Sequence, residues 1–215
     1  MEAVNNVGYK VLKKPTVKQK EGLMIDASST KPVKPELMVE HVTAELSQAD
    51  LNDLCDATDQ AIEDGGGFGW VRLPSREILE RFWQGVITMP NRLLFVARLD
   101  GVICGTAQLV CPTRNNEAQS FAAQLTTNFI APWARGHGLA KMLLEAVENT
   151  ALSENFAVIN LDVRETQKAA ISLYESHGYK VFGSHPFYAK IGDEVVKGLY
   201  YYKIINEGQI QKAEK

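Results

Sequence analysis

The chain has few cysteines, and no two of them form a C-x-x-C pair: Cys55, Cys104 and Cys111 are odd in number and lie in apolar stretches. That excludes a disulfide framework and a cysteine-based zinc site, and leaves three reduced packing residues. His41, His177 and His185 show no metal-ligand spacing among themselves, so they read as ordinary structural or surface histidines and no metal is expected. No apolar run approaches the roughly 20 residues of a membrane-spanning helix, and no apolar segment resembling a signal peptide opens the chain, which gives the cytoplasm as the expected location and no membrane as a partner. Basic charge is also scarce where a nucleic-acid surface would need it. Residues 1–35 hold seven Lys against Glu2, Glu21 and Asp26, a balance of +4, so with a net charge of -3 the remainder carries -7. An acidic main part excludes clustered phosphate contacts and is compatible with a cationic amine as ligand.

What is present suits one sizeable core: 215 residues, 45% of them hydrophobic, favour a single domain over two. Residues 1–35, rich in Lys, Pro, Ser and Thr without a period, read as a flexible basic leader; 36–207 as the folded domain; 208–215 as a polar tail. Within the domain, Leu37 to Val42 reads as a first strand. Ser47 is a cap candidate, and Leu51, Leu54, Cys55, Thr58 and Ile62 mark a helix over 48–63. The segment Gly65-Gly66-Gly67-Phe68-Gly69-Trp70 is either a mobile connector with tucked aromatics or a substrate-side flap. Leu79, Phe82, Trp83 and Val86 mark a second helix. Asp100-Gly101 joins two strand-like runs, Leu93 to Arg98 and Val102 to Val110, as a hairpin turn. Gln119 to Ile130 reads as a strand bent near Asn128, Gly136 to Leu152 as a helix, Ala157 to Val163 as a buried strand, and Gln167 to Ser176 as a helix. Strands near Tyr179 to Phe182 and Val195 to Ile205 close the domain. The order predicts an α/β fold: a single mixed, mostly antiparallel sheet with helices on both faces and one parallel pair around the Gly136 helix.

The strand ending at Ile130 runs through Ala131-Pro132-Trp133-Ala134 into Arg135-Gly136-His137-Gly138-Leu139-Ala140. A glycine segment feeding a helix start is an anion site, because the first-turn N–H groups are unpaired, the helix dipole favours negative charge, and glycine lets a diphosphate approach. Arg135 adds a fixed cation at the rim. Two phosphate motifs fail on spacing. Walker A needs Gly-Lys followed by Ser or Thr, whereas Leu139-Ala140-Lys141 follows Gly138; a dinucleotide fingerprint needs glycine where Lys141 stands.

What remains, Arg-x-x-Gly-x-Ala at Arg135, Gly138 and Ala140, resembles the pyrophosphate loop of the GNAT superfamily of N-acetyltransferases. The block from Gln167 to Tyr179, with Ala170, Leu173, Tyr174 and Gly178, resembles the family's N-x-x-A-x-x-L-Y-x-x-x-G-F/Y signature, with Gln167 in place of the usual Asn. The likeness covers about residues 37–205. It implies an acyl-CoA N-acyltransferase fold, acetyl-CoA as co-substrate, and direct transfer of the acetyl group to a primary amine in a ternary complex. It implies that the loop Arg135, Gly136, His137, Gly138, Leu139 and Ala140 holds the diphosphate, with His137 contributing its backbone. It further implies that main-chain amides of Phe129 and Ile130 and the side chain of Gln167 contact the pantetheine, and that Tyr174 protonates the departing thiolate. On spacing alone, Tyr174 is equally a core aromatic of the stripe Ala170, Leu173, Tyr174 and His177. No carboxylate lies in Leu125 to Ile130, so the general base stays unassigned, with Glu117, Asp162 and Glu165 in reserve. The Gly65 to Trp70 segment, Pro74-Ser75-Arg76, Pro186-Phe187-Tyr188-Ala189 and Tyr200-Tyr201-Tyr202 resemble the small-molecule branch that includes tabtoxin-resistance acetyltransferase, which implies a small-molecule amine walled by Phe68, Trp70 and Tyr188. A protein acetyltransferase and a non-catalytic acyl-CoA-binding module are the alternatives. The family likeness is compatible with a homodimer.

Overall fold

The computed structural model describes residues 34–66 and 68–210, so residues 1–33 of the basic leader, Gly67 and the end of the polar tail lie outside the described residues. Seven strands form one sheet in the order β1-β2-β3-β4-β5-β7-β6. Strands β1 (Leu37–Val42), β2 (Arg92–Leu99), β3 (Val102–Val110) and β4 (Ala122–Ile130) run as an antiparallel series, β5 (Val158–Arg164) joins β4 in parallel, and β7 (Glu194–Ile204) inserts antiparallel between β5 and the edge strand β6 (Lys180–Ile191). The expected mixed sheet is therefore present. Asp100 and Gly101 both take positive φ, 50° and 84°, the backbone a two-residue hairpin turn requires.

Helices cover both faces because the strands alternate. Along β2, Leu94 and Val96 point to α1 (Gln48–Glu63) and α2 (Arg76–Thr88), while Phe95 and Ala97 point to the other face, where α3 (Leu139–Ser153) and α4 (Lys168–Ser176) pack. On the first face, Trp83 is fully buried among Leu54, Cys55 and Leu79. Its indole N–H donates to Thr58 Oγ1 at 3.1 Å, and that hydroxyl donates to the Leu54 carbonyl at 2.6 Å, so no polar atom of this contact is stranded. On the other face, Leu139, Leu143, Leu144 and Val147 of α3 bury against Ala107, Leu109 and Ile159. Ser47 caps α1 as its position suggested, accepting the Asp50 N–H at 3.1 Å.

Three elements differ from expectation by more than one residue at an end, each for a physical reason. The strand placed from Gln119 starts at Ala122, because Glu117–Gln119 is a 3-10 turn. The helix placed from Gly136 starts at Leu139, since Gly136 and Gly138 hold φ of 84° and 87°, which no α-helix accommodates. The strand placed over Tyr179 to Phe182 continues to Ile191. It carries Pro186 because β6 is an edge strand and the ladder skips between His185 and Ala189. A short helix, α5 (Glu207–Ile210), crosses the boundary at 207/208. Among the described residues no helix is long and apolar enough to cross a membrane.

Candidate active site

The parallel ladder between β4 and β5 has only three pairs, Ala122 with Val158, Ala123 with Ile159 and Gln124 with Asn160. Beyond them the strands separate into a V. The β3–β4 ladder is irregular at the same level, between Thr106 and Gln108, where Thr127 takes φ 52°. A β-branched residue at positive φ is strained and persists only when its surroundings impose it. Here the distortion turns Asn128 into the V. The opening is a cavity of about 430 Å³ whose lining includes Thr127, Asn128, Asp162, Gln167, Tyr174 and Tyr188.

Main-chain direction inside the V follows from one hydrogen bond. Ala131 N–H donates to the Cys104 carbonyl of β3 at 2.7 Å; by strand alternation the N–H of Phe129 also faces β3, while Ile130 faces the V. Of the two residues expected to offer free amides, the geometry brings Ile130 to the open side. Phe129 contributes instead through its ring, which stacks on Phe68 at 5.4 Å with planes 9° apart.

The glycine loop lies at the end of β4, after the turn Pro132–Ala134. A Cβ at Gly136 or Gly138 would meet nothing within 4 Å, so glycine is required there by backbone conformation, and the loop faces open space. Gly138 is the N-cap of α3 and brings no side-chain cap, which leaves the first-turn N–H groups of Leu139 and Ala140 without a partner within the helix. Leu139 buries its side chain beneath, Ala140 is half-buried, and His137 is exposed. Arg135 is more constrained than a bare rim cation. Its Nε donates to the Ile130 carbonyl at 3.2 Å and its Nη2 meets Asp64 at 2.6 Å, so it braces the end of β4 against the C-cap of α1.

Gln167, the N-cap of α4, donates from Nε2 to the Gly65 carbonyl at 2.9 Å, and Arg164 Nη2 donates to the same oxygen at 2.9 Å. The aromatic segment is thereby tied across the mouth of the V. Phe68 and Trp70 pack against Phe82 at 5.9 and 6.3 Å and line the cavity.

Tyr174 is 5% exposed, and its hydroxyl accepts the Asn128 Nδ2–H at 3.2 Å. Burial pushes its phenol upward, against the opposing effect of the Asn128 bond, so the neutral, proton-bearing form prevails. The sequence marks Asn128 only as a bend or bulge; its role as hydroxyl partner depends on a contact 46 residues away. Of the reserve carboxylates, Glu117 sits in the turn before β4, outside the cavity lining, and Glu165 lies 3.9 Å from Lys197. Asp162 lines the cavity. The other three histidines make local contacts: His41 stacks on Phe95 at 5.0 Å, His177 Nδ1 bonds the Leu173 carbonyl at 2.8 Å, and His185 Nδ1 accepts the Phe187 N–H at 3.1 Å.

A mixed sheet that opens between its parallel strands, with a glycine loop and helix start at the head of the opening, defines an acyl-CoA N-acyltransferase fold. Comparison with known proteins agrees. The sequence model of the acetyltransferase (GNAT) family matches residues 55–179, more than half of the chain, and the protein belongs to that family. It is 64% identical over 123 residues to the N-acetyltransferase encoded in the hisH-hisA intergenic region of Azospirillum brasilense, itself uncharacterized, covering 57% of this chain and 73% of that protein. Among solved structures it resembles a GNAT-family acetyltransferase of Streptococcus pneumoniae (TM-score 0.64, 21% identity, 79% of this chain and 99% of that one). It also resembles an acetyltransferase of Salmonella typhimurium held with its cofactor acetyl-CoA (TM-score 0.64, 14% identity, 80% and 95%).

Proposed function

We propose that the protein transfers an acetyl group from acetyl-CoA to a primary amine of a small molecule, directly within a ternary complex, and that it works in the cytoplasm. The observation that carries the chemistry is the Asn128–Tyr174 hydroxyl bond facing the cavity. The residues fit the co-substrate. The open loop from Arg135 to Ala140 suits a diphosphate on the amides of Gly136, His137, Gly138, Leu139 and Ala140, and the V suits the pantetheine beside the Ile130 amide, with Gln167 in its wall and Phe129 stacked behind Phe68. Acetyl-CoA supplies an activated acyl carbon, to which the amine nitrogen bonds as the carbon–sulfur bond breaks. Tyr174 Oη gives its proton to the sulfur, and Asn128 Nδ2, already directed at that oxygen, stabilises the phenolate until it is reprotonated.

The small-molecule branch, including the tabtoxin-resistance-like enzymes, is favoured over protein substrates by the tie of Gly65 to Gln167 and Arg164, which draws the aromatic segment over the space a polypeptide would need. The test is release of free coenzyme A from acetyl-CoA, read with a thiol reagent, over alkylamines, arylalkylamines, amino acids and aminoglycosides. Release with at least one small amine is expected. Tight acetyl-CoA binding with no release from any of these amines or from a peptide amine would make the protein a binding module instead.

A further inference from the structure

The cavity contains a polar pair that the transfer chemistry above does not use. Asp162 is the only carboxylate among its described lining residues. It sits on β5, two residues past the last β4–β5 pair, and is held from both sides: Oδ1 accepts from Gln124 Nε2 at 3.0 Å, and Oδ2 accepts from the Tyr188 hydroxyl. Each carboxylate oxygen keeps a second acceptor position.

Tyr188 is placed there by three independent features. The β6–β7 ladder skips between His185 and Ala189, which re-aims the intervening residues. His185 Nδ1 accepts the Phe187 N–H inside that bulge. Opposite, Gly198 leaves the space the ring fills, since a Cβ there would stand 2.7 Å from Tyr188 Cβ and closer still to ring atoms. Three strands thus converge on one carboxylate at the wall of the V, in the cavity that Tyr174 also lines.

We propose that Asp162 and Tyr188 form the seat of the acceptor nitrogen, with Asp162 binding a primary ammonium and removing its proton. This rests on the acetyltransferase reading above. A simple primary amine has a pKa of about 10 and arrives charged; it must lose a proton before its lone pair can attack. That proton passes from nitrogen to Asp162 Oδ2 and then to solvent. When the carbon–nitrogen bond has formed and the carbon–sulfur bond has broken, the second nitrogen proton replaces the one Tyr174 gave to sulfur, so each turnover from the ammonium releases one proton. The charged and titratable groups facing Asp162 are Tyr174 from α4, Arg164 on its own strand, Tyr188 and Lys190 from β6, and Tyr200 across the β5–β7 ladder. Leu125, Thr126, Thr127 and Asn128 of β4 add none. Arg164 and Lys190 disfavour a further positive charge, which eases proton loss from the bound ammonium. Burial, and for Tyr188 also its bond to Asp162, push both phenols upward.

The test is Asp162→Asn, an isosteric change, followed from pH 6.5 to 10 with the best amine of the panel. Wild-type turnover is the reference: none with any amine overturns the acetyltransferase reading, and this inference with it. We expect Asp162→Asn to keep its acetyl-CoA affinity and to bind the amine at least 10-fold more weakly by calorimetry at pH 7 in saturating coenzyme A. We expect kcat/KM for the amine to fall about 100-fold at pH 7, with the deficit shrinking as pH approaches the amine's own pKa, where solution supplies neutral amine. A merely structural role would give the same deficit at every pH, and that result, or an unchanged rate, overturns the inference while leaving the function intact. Should Asp162→Asn lose acetyl-CoA affinity, Tyr188→Phe decides. It keeps the ring against Gly198 and should lose about 10-fold at pH 7 with the same trend; a wild-type profile overturns the proposal.

Discussion

The width of the V depends on how closely β4 lies on β3, and Gly105→Ala perturbs that contact directly. A methyl group at Gly105 would stand 2.6 Å from the Phe129 carbonyl oxygen and also against Ile130 Cδ1, whereas ordinary contact begins near 3.4 Å. The Ile130 methyl can rotate away. The Phe129 oxygen belongs to the backbone, so β4 must retreat by about 0.8 Å, the difference between 2.6 and 3.4 Å. Overpacking of this kind costs about 1–3 kcal/mol, and we expect about 2, read as a lower urea midpoint at unchanged slope. The displacement carries Phe129 and Ile130 into the V, and misplacement approaching 1 Å costs up to about 100-fold in rate. We therefore expect kcat/KM to fall at least about 10-fold, with acetyl-CoA affinity reduced as well. Adding Ile130→Val should restore little of either, because it relieves only the side-chain contact. Wild-type stability and affinity in Gly105→Ala would refute the claim that this strand contact sets the site, and full rescue by Ile130→Val would refute the backbone argument.

Gly138→Asp places a carboxylate at an N-cap held at φ 87°, beside the surface assigned to a diphosphate; acetyl-CoA affinity should fall at least about 100-fold with the fold retained, and unchanged affinity by calorimetry would contradict the loop assignment. Tyr174→Phe should lower kcat about 100-fold while acetyl-CoA affinity stays within about 3-fold, and it should cost about 1 kcal/mol of stability because Asn128 Nδ2 loses its acceptor; an unaltered rate returns Tyr174 to the core. Burial pushes the Cys55 and Cys104 thiols from 9.0 up to about 11. Their folded-state values are raised, so the stability they contribute is present below pH 9 and is lost as pH climbs through 11; urea midpoints should decline across that window, and a thiol reagent at pH 8 should leave both residues unmodified until the protein unfolds.

Much of this architecture was legible because it is locally encoded. The Ser47 cap, the apolar spacing of α1, the Asp100-Gly101 turn and the glycines before α3 each act within a few residues, so pattern and propensity suffice. The site itself was only partly legible, because its contacts cross the fold. Arg135 reads as a cation fixed at the rim, but the sequence does not show that Asp64, 71 residues earlier, pairs with it. Gln167 reads as a pantetheine contact, yet its amide is engaged by the Gly65 carbonyl, 102 residues away. Tyr188 reads as a wall aromatic in a stretch broken by Pro186; only the edge position of β6 makes that proline tolerable and the bulge useful.

The same distinction bears on the base, which the sequence leaves unassigned with Asp162 only in reserve. A scan of β4 finds no carboxylate between Leu125 and Ile130, and with one strand in view that is a gap in the chemistry. A V has two walls. The parallel ladder pairs Gln124 with Asn160 and then stops, so the next inward positions of β5 face the space that β4 has left, and the first charged one is Asp162. On the proposal above, the early end of the β4–β5 ladder is also what gives a carboxylate on the opposite strand access to the acceptor. Base and acid can then come from β5 and α4 with the acceptor nitrogen between them, and β4 is left to supply main-chain polarity and the Asn128 amide.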